Sequence, residues 1–305
     1  MTHSLKTLRA QFRAVGKFHT PPELALKLRS YIPDTPAAVY DPTCGAGALL
    51  SVFPDTTEKY GQDIDQAALE DAAAIPGMRT AHGDVLTHPA WLDQRFDAIV
   101  ANPPFSIRWE PRTDERFESA PTIPTQSRAD YAFLLHILHM LTDTGTAAVL
   151  SFPGVLYRGA REAKLRAWMV EQGWIHRVVR VPGDTFEDTA IETAILILRK
   201  SPAATEVIFE DLETGDTHTA TLDDIRAQDY ILSPRTYIPA PVDDTPPVDP
   251  WELEQAARRN TVRQLRDQIG MSRMVAAIER WPIEPFLDDL DTVLVEARAT
   301  PLPNL

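Results

Sequence analysis

Ala38-Val39-Tyr40-Asp41-Pro42-Thr43-Cys44-Gly45-Ala46-Gly47 is the stretch on which the reading of the fold turns. A short β-rich run, 38–41, ends in an acid and enters a loop with two glycines one residue apart, after which a helix is expected. Glycines so spaced let backbone approach a ligand where a Cβ would collide, and such loops lie at the carboxyl end of a parallel strand. The dinucleotide spacing Gly-x-Gly-x-x-Gly is absent, because position 50 is Leu50. Asp41 would also repel a pyrophosphate. A carboxylate there suits a ligand with a cationic amino group instead.

Outward from this loop, residues 39–200 alternate short β-rich runs with helical stretches. That pattern predicts an α/β, doubly wound, Rossmann-like fold with a mostly parallel, seven-stranded sheet. The candidate strands are 38–41, 59–62, 78–81, 98–101, 147–152, 178–181 and 193–198. Thr20 reads as the N-cap of a helix with Pro21 and Pro22 in its first turn and Leu24, Leu28 and Ile32 at helical spacing. A second helix, 130–141, carries Phe133, Leu134, Ile137, Leu138 and Leu141 as an apolar stripe for one sheet face. A third spans 161–171. A small hairpin, 206–210 and 217–221, turns at Thr214-Gly215-Asp216.

The expected organisation is an N-terminal helical segment closing over a cofactor (1–35), a catalytic domain (36–238), a proline-rich linker (239–250) and a small C-terminal helical region (251–305). The last carries one apolar face, Ile283, Phe286, Leu287, Leu290, Val293, Leu294 and Ala297. A region this short buries such a face poorly by itself. It either packs back on the catalytic domain or docks a partner's helix.

Composition excludes several classes. Cys44 is the only cysteine, so neither an intramolecular disulfide nor a cysteine-rich zinc site is possible. The histidines form no metal-ligand spacing, and no metal is expected. Apolar runs such as 147–152 are strand-sized, and the N-terminus leads into no apolar signal segment, so a soluble, cytoplasmic protein is expected. The formal charge of -14 makes this a poor solitary binder of nucleic acid. Local basic clusters exist at Lys6, Arg9, Arg13 and Lys17, at Arg158, Arg161, Lys164 and Arg166, and at Arg258, Arg259, Arg263 and Arg266. Each reads first as a solvated helix face.

Acids recur at successive strand ends. Asp41 can hold the amino group of S-adenosylmethionine, with Pro42, Thr43, Cys44, Gly45 and Gly47 forming the loop around it. In Gly61-Gln62-Asp63-Ile64-Asp65, Asp63 can accept from both ribose hydroxyls, with Ile64 beside it; Asp65 reads as a helix N-cap. In Gly83-Asp84-Val85, Asp84 can accept from the cofactor's adenine amino group. The next strand end carries Asn102-Pro103-Pro104-Phe105. An aromatic amino nitrogen is a poor nucleophile because its lone pair is delocalised into the ring. Two acceptors, the Asn102 side-chain oxygen and the Pro103 carbonyl, can draw that pair back onto nitrogen, and the prolines stiffen the loop. Phe105 offers a face on which a base taken out of a duplex can stack. The chemistry would be a direct in-line methyl transfer without a covalent intermediate or a metal.

These residues resemble the amino-methyltransferases of DNA, specifically the methylation subunit of type I restriction-modification systems, over 16–239. The resemblance implies methylation of the exocyclic amino group of a flipped adenine in DNA, with S-adenosylmethionine as donor. It also implies that Phe18, Thr20 and Pro21, in Gly16-Lys17-Phe18-His19-Thr20-Pro21, close over the cofactor's methionine end. His19 stands where the family usually has an aromatic residue. Phe152-Pro153-Gly154-Val155-Leu156 and the segment from Arg180 to Thr193 are similar to the family's strands beside the target pocket, and 230–237 to its closing segment. Members usually begin with a helical domain that is shorter here, and no long target-recognition segment is evident. With the acidic charge, this points to a separate DNA-specificity subunit. The alternatives are a methyltransferase acting on a protein glutamine amide, which the same acceptor loop suits, and a noncatalytic scaffold subunit.

Overall fold

A computed structural model of the chain describes residues 20–183 and 192–238, together with positions 251, 255, 259 and 287. Phe18, His19, the first and most of the third basic cluster, the linker and most of the expected C-terminal apolar face lie outside the described residues. The chain divides into two compact units, Met1–Ala240 and Pro241–Leu305. In the second, Trp251, Gln255, Arg259 and Leu287 are helical. All other described elements belong to the first.

Among the described residues, nine strands form one sheet: β1 (Ala38–Asp41), β2 (Glu58–Asp63), β3 (Met78–His82), β4 (Phe96–Ala101), β5 (Leu141–Ser151), β6 (Ile175–Val181), β7 (Thr193–Arg199), β8 (Glu206–Asp211) and β9 (Thr217–Thr221). Their order is β3-β2-β1-β4-β5-β7-β6-β8-β9. The β1–β2, β2–β3, β1–β4 and β4–β5 pairs are parallel, and β7 runs antiparallel to both β5 and β6. The seven expected strands are all present. The hairpin read from 206–221 is not a separate feature: β8 pairs in parallel with β6, which raises the sheet from seven strands to nine. Val207 and Phe209 alternate inward on β8, so extending the sheet buries them and covers the edge of β6.

The helices are α1 (Pro22–Arg29), α2 (Ala48–Ser51), α3 (Gln66–Ala72), α4 (Asp130–Met140), α5 (Ala160–Glu171), α6 (Leu222–Ala227) and α7 (Pro234–Tyr237). The chain winds outward from β1 through β2 and β3, then returns to β4 on the other side of β1. Both sheet faces are covered, so the parallel strands are apolar on both sides. On β4, Ile99 and Ala101 join the core with α4, while Ala98 and Val100 join Leu24 and Leu28 of α1 and Leu49 and Leu50 of α2. Phe96 breaks the alternation because the β4–β5 register shifts between it and Ala98.

The stripe expected on α4 is too narrow a description. Every residue from Asp130 to Leu138, and Met140, is buried. The cause is the loop after β4, whose Trp109 and Phe117 pack into the same core as α4 and as Leu165 and Met169 of α5. Buried Arg116 fastens that loop by donating to the Val85 and Leu86 carbonyls at 2.9 and 2.8 Å and pairing with Asp114. Its Nη1 lies 3.3 Å from His136 Nδ1, and His136 Nε2 lies 3.2 Å from the Tyr40 hydroxyl. Burial, then Arg116, holds the His136 pKa well below the usual histidine value, so the imidazole is neutral. Among the described residues, no helix is long and apolar enough to cross a membrane and no cluster of side chains could hold a metal ion.

Candidate active site at the carboxyl edge of the sheet

Because β1 to β4 run parallel, the residues that end them share one edge. Asp41 closes β1 opposite Gly61, Asp63 closes β2 opposite His82, Asp84 follows β3, and Asn102 follows β4. Val39 pairs with Ala98 and Tyr40 with Ile99, which sets Asn102 just beyond the end of β1 at the point where the winding reverses. Crevices at such switch points are where open α/β sheets bind ligands.

Asp41 is 1% exposed, and its Oδ1 accepts the Thr43 N–H at 2.9 Å. Burial, opposed by that bond and reinforced by nearby Asp63, pushes its carboxyl up to about 8. No cation pairs with it among the described residues, so a cationic ligand group would satisfy it. Asp63 does more structural work than its sequence context suggests. Its Oδ2 accepts the Gly45 N–H at 2.8 Å and its Oδ1 the Asp65 N–H at 2.9 Å, which locks the glycine loop to β2 and leaves each oxygen a further lone pair. Asp65 caps α3 through Ala67 and Ala68. Exposed Asp84 turns its own loop by accepting the Leu86 N–H at 2.9 Å, ahead of buried Val85.

The two glycines of the loop play different parts. Gly45 has φ +51 and open space where a β-carbon would stand, so it offers a ligand bare backbone. Gly47 has φ +84, and a β-carbon there would overlap Ile75, so it serves packing. Pro42 and Cys44 are buried beneath the loop, and burial, then Asp41 and Asp63, holds the Cys44 thiol far above the usual thiol range. It is a packing residue, not a nucleophile. Ile64 is 70% exposed beside Asp63 and presents an apolar face that a flat base could cover. A buried acid, a bare backbone cradle, an acid with spare acceptors and an exposed aliphatic face could hold S-adenosylmethionine: Asp41 would take the amino group, Gly45 the methionine chain, Asp63 the ribose and Ile64 the adenine. When bound, it would supply an electrophilic methyl group.

The Asn102-Pro103-Pro104-Phe105 loop is braced at both ends. Asn102 Nδ2 donates to Thr20 Oγ1 at 3.3 Å. Thr20 is therefore not the N-cap expected: Pro21 occupies that position without a side-chain cap bond. Two prolines suffice to start α1, which frees the Thr20 hydroxyl for Asn102. Pro103 is buried and Pro104 exposed. Phe105 packs against the core that holds Val100, with its ring 6.4 Å from that of Phe152. Ser106 follows with φ +52, a conformation costing a non-glycine residue on the order of 1–3 kcal/mol.

Sequence reasoning missed the residues at this far end, where the Ser106 N–H donates to Asp130 Oδ1 at 3.2 Å and Arg158 Nη2 donates to Ser106 Oγ at 3.1 Å. Asp130 was legible only as a helix start and Arg158 only as part of a basic face; the i,i+4 spacing of Arg158 and Glu162 was the one signal available. The second basic cluster is not a uniform solvated face. Arg166 is buried and donates to the carbonyls of Tyr230, Val155 and Arg158 at 2.6, 3.3 and 2.9 Å.

Residues 5–219 match the N-6 DNA Methylase family, more than half of the chain. The MpnII type I restriction enzyme methylase subunit of Mycoplasma pneumoniae is 32% identical over 227 residues, 64% of this chain and 42% of that protein. The EcoEI methylase subunit of Escherichia coli is 29% identical over 222 residues, 64% of this chain and 44% of that one. The chain thus spans about half the length of the curated relatives it matches. Among solved structures, a type I restriction-modification methyltransferase subunit from Streptococcus thermophilus superposes with a TM-score of 0.66 at 24% identity, covering 78% of this chain and 64% of that one. That likeness is one of fold. The family match runs through every strand end of the crevice and through the Asn-Pro-Pro-Phe loop, and on that ground the chain belongs to the N-6 DNA Methylase family.

Proposed function

We propose that this protein transfers a methyl group from S-adenosylmethionine to the exocyclic N6 amino group of adenine in DNA, and that a separate subunit supplies the DNA sequence specificity. The observation that carries the reading is the placement of Asn102-Pro103-Pro104-Phe105 directly beside Asp41 at the switch point, with the Asn102 amide held by Thr20. Because Nδ2 is engaged, Oδ1 is the part of the amide left to accept an amino proton from the target. The Pro103 carbonyl would accept the second, and Phe105 would stack on the flipped base. Asp41, the Pro42 to Gly47 loop, Asp63, Ile64, Asp84 and Val85 would hold the cofactor, with Thr20, Pro21 and Phe18 over its methionine end. The relatives named as type I methylase subunits support DNA as the substrate class and an assembly with other subunits. The formal charge of -14 supports the same division of labour, since phosphate binding needs cationic surface.

Transfer of a labelled methyl group to DNA, RNA and protein, with and without a candidate specificity subunit, tests the reading. Label is expected on adenine N6 of DNA and is expected to rise with the partner. Label on a glutamine amide or on RNA instead would overturn it. Asn102→Ala should bind cofactor and lose transfer by about 100-fold or more; full turnover would remove the acceptor mechanism.

A further inference from the structure

Behind the acceptor loop, three charged side chains from separate segments meet without completing their hydrogen bonds. Arg158 Nη1 stands 3.7 Å from Asp130 Oδ2 on α4 and 3.6 Å from Glu162 Oε2 on α5. All three atoms are buried and have no hydrogen-bond partner. Arg128 already donates to the other Glu162 oxygen at 3.1 Å. Among the described residues, the only hydrogen bond made by the Arg158 side chain goes to neither acid. Its Nη2 donates to Ser106 Oγ at 3.1 Å. The Ser106 N–H in turn donates to Asp130 Oδ1 at 3.2 Å.

Ser106 is thus gripped at its backbone and at its hydroxyl, in a left-handed conformation that needs such support, directly after Phe105. The guanidinium face lies over the Phe152 ring, 5.3 Å from its centroid, and Phe152 in turn neighbours Phe105. A β-carbon at Gly154 would overlap the guanidinium, so the turn before α5 is shaped to admit it. Facing two carboxylates, a hydroxyl and a ring together needs the planar fork of arginine.

We infer that Arg158 is a positioning residue for the acceptor loop. By holding Ser106 against Asp130, it sets where Phe105 and the Pro103 carbonyl stand, without itself touching the methyl donor or acceptor. The inference rests on the reading of 102–105 as the acceptor loop.

The test uses the full chain as wild type, Arg158→Ala, Arg158→Lys, Ser106→Ala and the Arg158→Ala/Ser106→Ala double variant. Hydrogen exchange over 102–109 should rise about tenfold in each alanine variant while β4 stays protected. Because both residues act through one contact, the double variant should exchange no faster than Arg158→Ala. Arg158→Lys should recover part of the protection. In methyl transfer to DNA, kcat should fall about tenfold with the KM for S-adenosylmethionine within about twofold. Unchanged loop exchange in Ser106→Ala, additive effects, or equal loosening of β4 would overturn the proposal. Should Arg158→Ala fail to fold, Ser106→Ala decides alone, since it deletes one oxygen and leaves the ion cluster intact. If wild type supplied with its specificity subunit transfers no methyl group while the exchange results hold, the acceptor reading fails and the positioning contact stands.

Discussion

The Asn102 side-chain amide donates from Nδ2 to the Thr20 hydroxyl at 3.3 Å, joining the loop after β4 to the segment just ahead of α1 across 82 positions of sequence. An amide left free could present either its nitrogen or its oxygen to the crevice. With the nitrogen engaged, Oδ1 would be the atom left to accept. Thr20→Val, which keeps the shape and removes the acceptor, should lower single-turnover methyl transfer by about five- to tenfold, the worth of one ordinary hydrogen bond. Thr20→Ser should transfer at nearly the wild-type rate. Equal rates for wild type and valine variant would show that the bond does not orient the amide.

Asp41 makes cofactor affinity depend on pH. Its carboxyl is pushed up to about 8, chiefly by burial, so at pH 6 it is mostly protonated and must release a proton to meet a cation. Below that value, affinity for S-adenosylmethionine should drop by about tenfold per pH unit. Above about 8 the ligand's own amino group loses its charge, so affinity should peak near there. Calorimetry in buffers of different ionisation heat should detect proton release at pH 6, and Asp41→Asn should abolish it. Unliganded stability has the opposite sign: the folded pKa is raised, so this contribution is full below the unfolded value of about 3.9 and is lost as pH rises through about 8.

Gly61 and Gly45 should fail in different ways. A β-carbon at Gly61 would overlap Met78 Cε and lie 2.7 Å from Cys44 Sγ, so Gly61→Ala should cost about 1–3 kcal/mol of stability by urea denaturation. Gly45 has open space there but a left-handed backbone, so Gly45→Ala should cost about 1 kcal/mol and weaken cofactor binding more than tenfold by filling the cradle. Equal cofactor affinity for Gly45→Ala and wild type would count against the cradle.

Arg166 should matter to stability and not to chemistry directly. Replacing it with methionine strands the carbonyls of Arg158 and Tyr230, leaves that of Val155 to the Tyr131 hydroxyl alone, and should cost about 2 kcal/mol or more. A cost under about 0.5 kcal/mol, the range of ordinary surface sites, would mean the carbonyls find other partners.

Strand positions and the strand-end acids were legible because both are local. A parallel strand covered on two faces writes itself as a short apolar run, and an acid or asparagine at its end needs no distant partner to be noticed. The part Asp63 plays was only half legible: its acidity marks a ligand, whereas its bonds to Gly45 and Asp65 depend on how the glycine loop folds back over β2. The hairpin at 206–221 was legible as two strands but not as part of the main sheet, since pairing β8 with β6 is a choice between edges far apart in sequence. Arg158 and Arg166 look alike on a helical face, and only packing separates the one that grips Ser106 from the one that closes three carbonyls.

By itself the sequence determined the α/β architecture and which acids and which asparagine stand at the strand ends, because periodicity and residue type at strand ends are properties of short segments. Only the tertiary structure decided which atom of the Asn102 amide is engaged, why Phe105 sits where it does, and that the loop is braced by Thr20 on one side and by Arg158 on the other. Those contacts join residues 52 and 82 positions apart. Hydrogen bonds at such separations have no periodic signature, and they form only after the sheet has brought β4, α1 and the turn before α5 to the same edge.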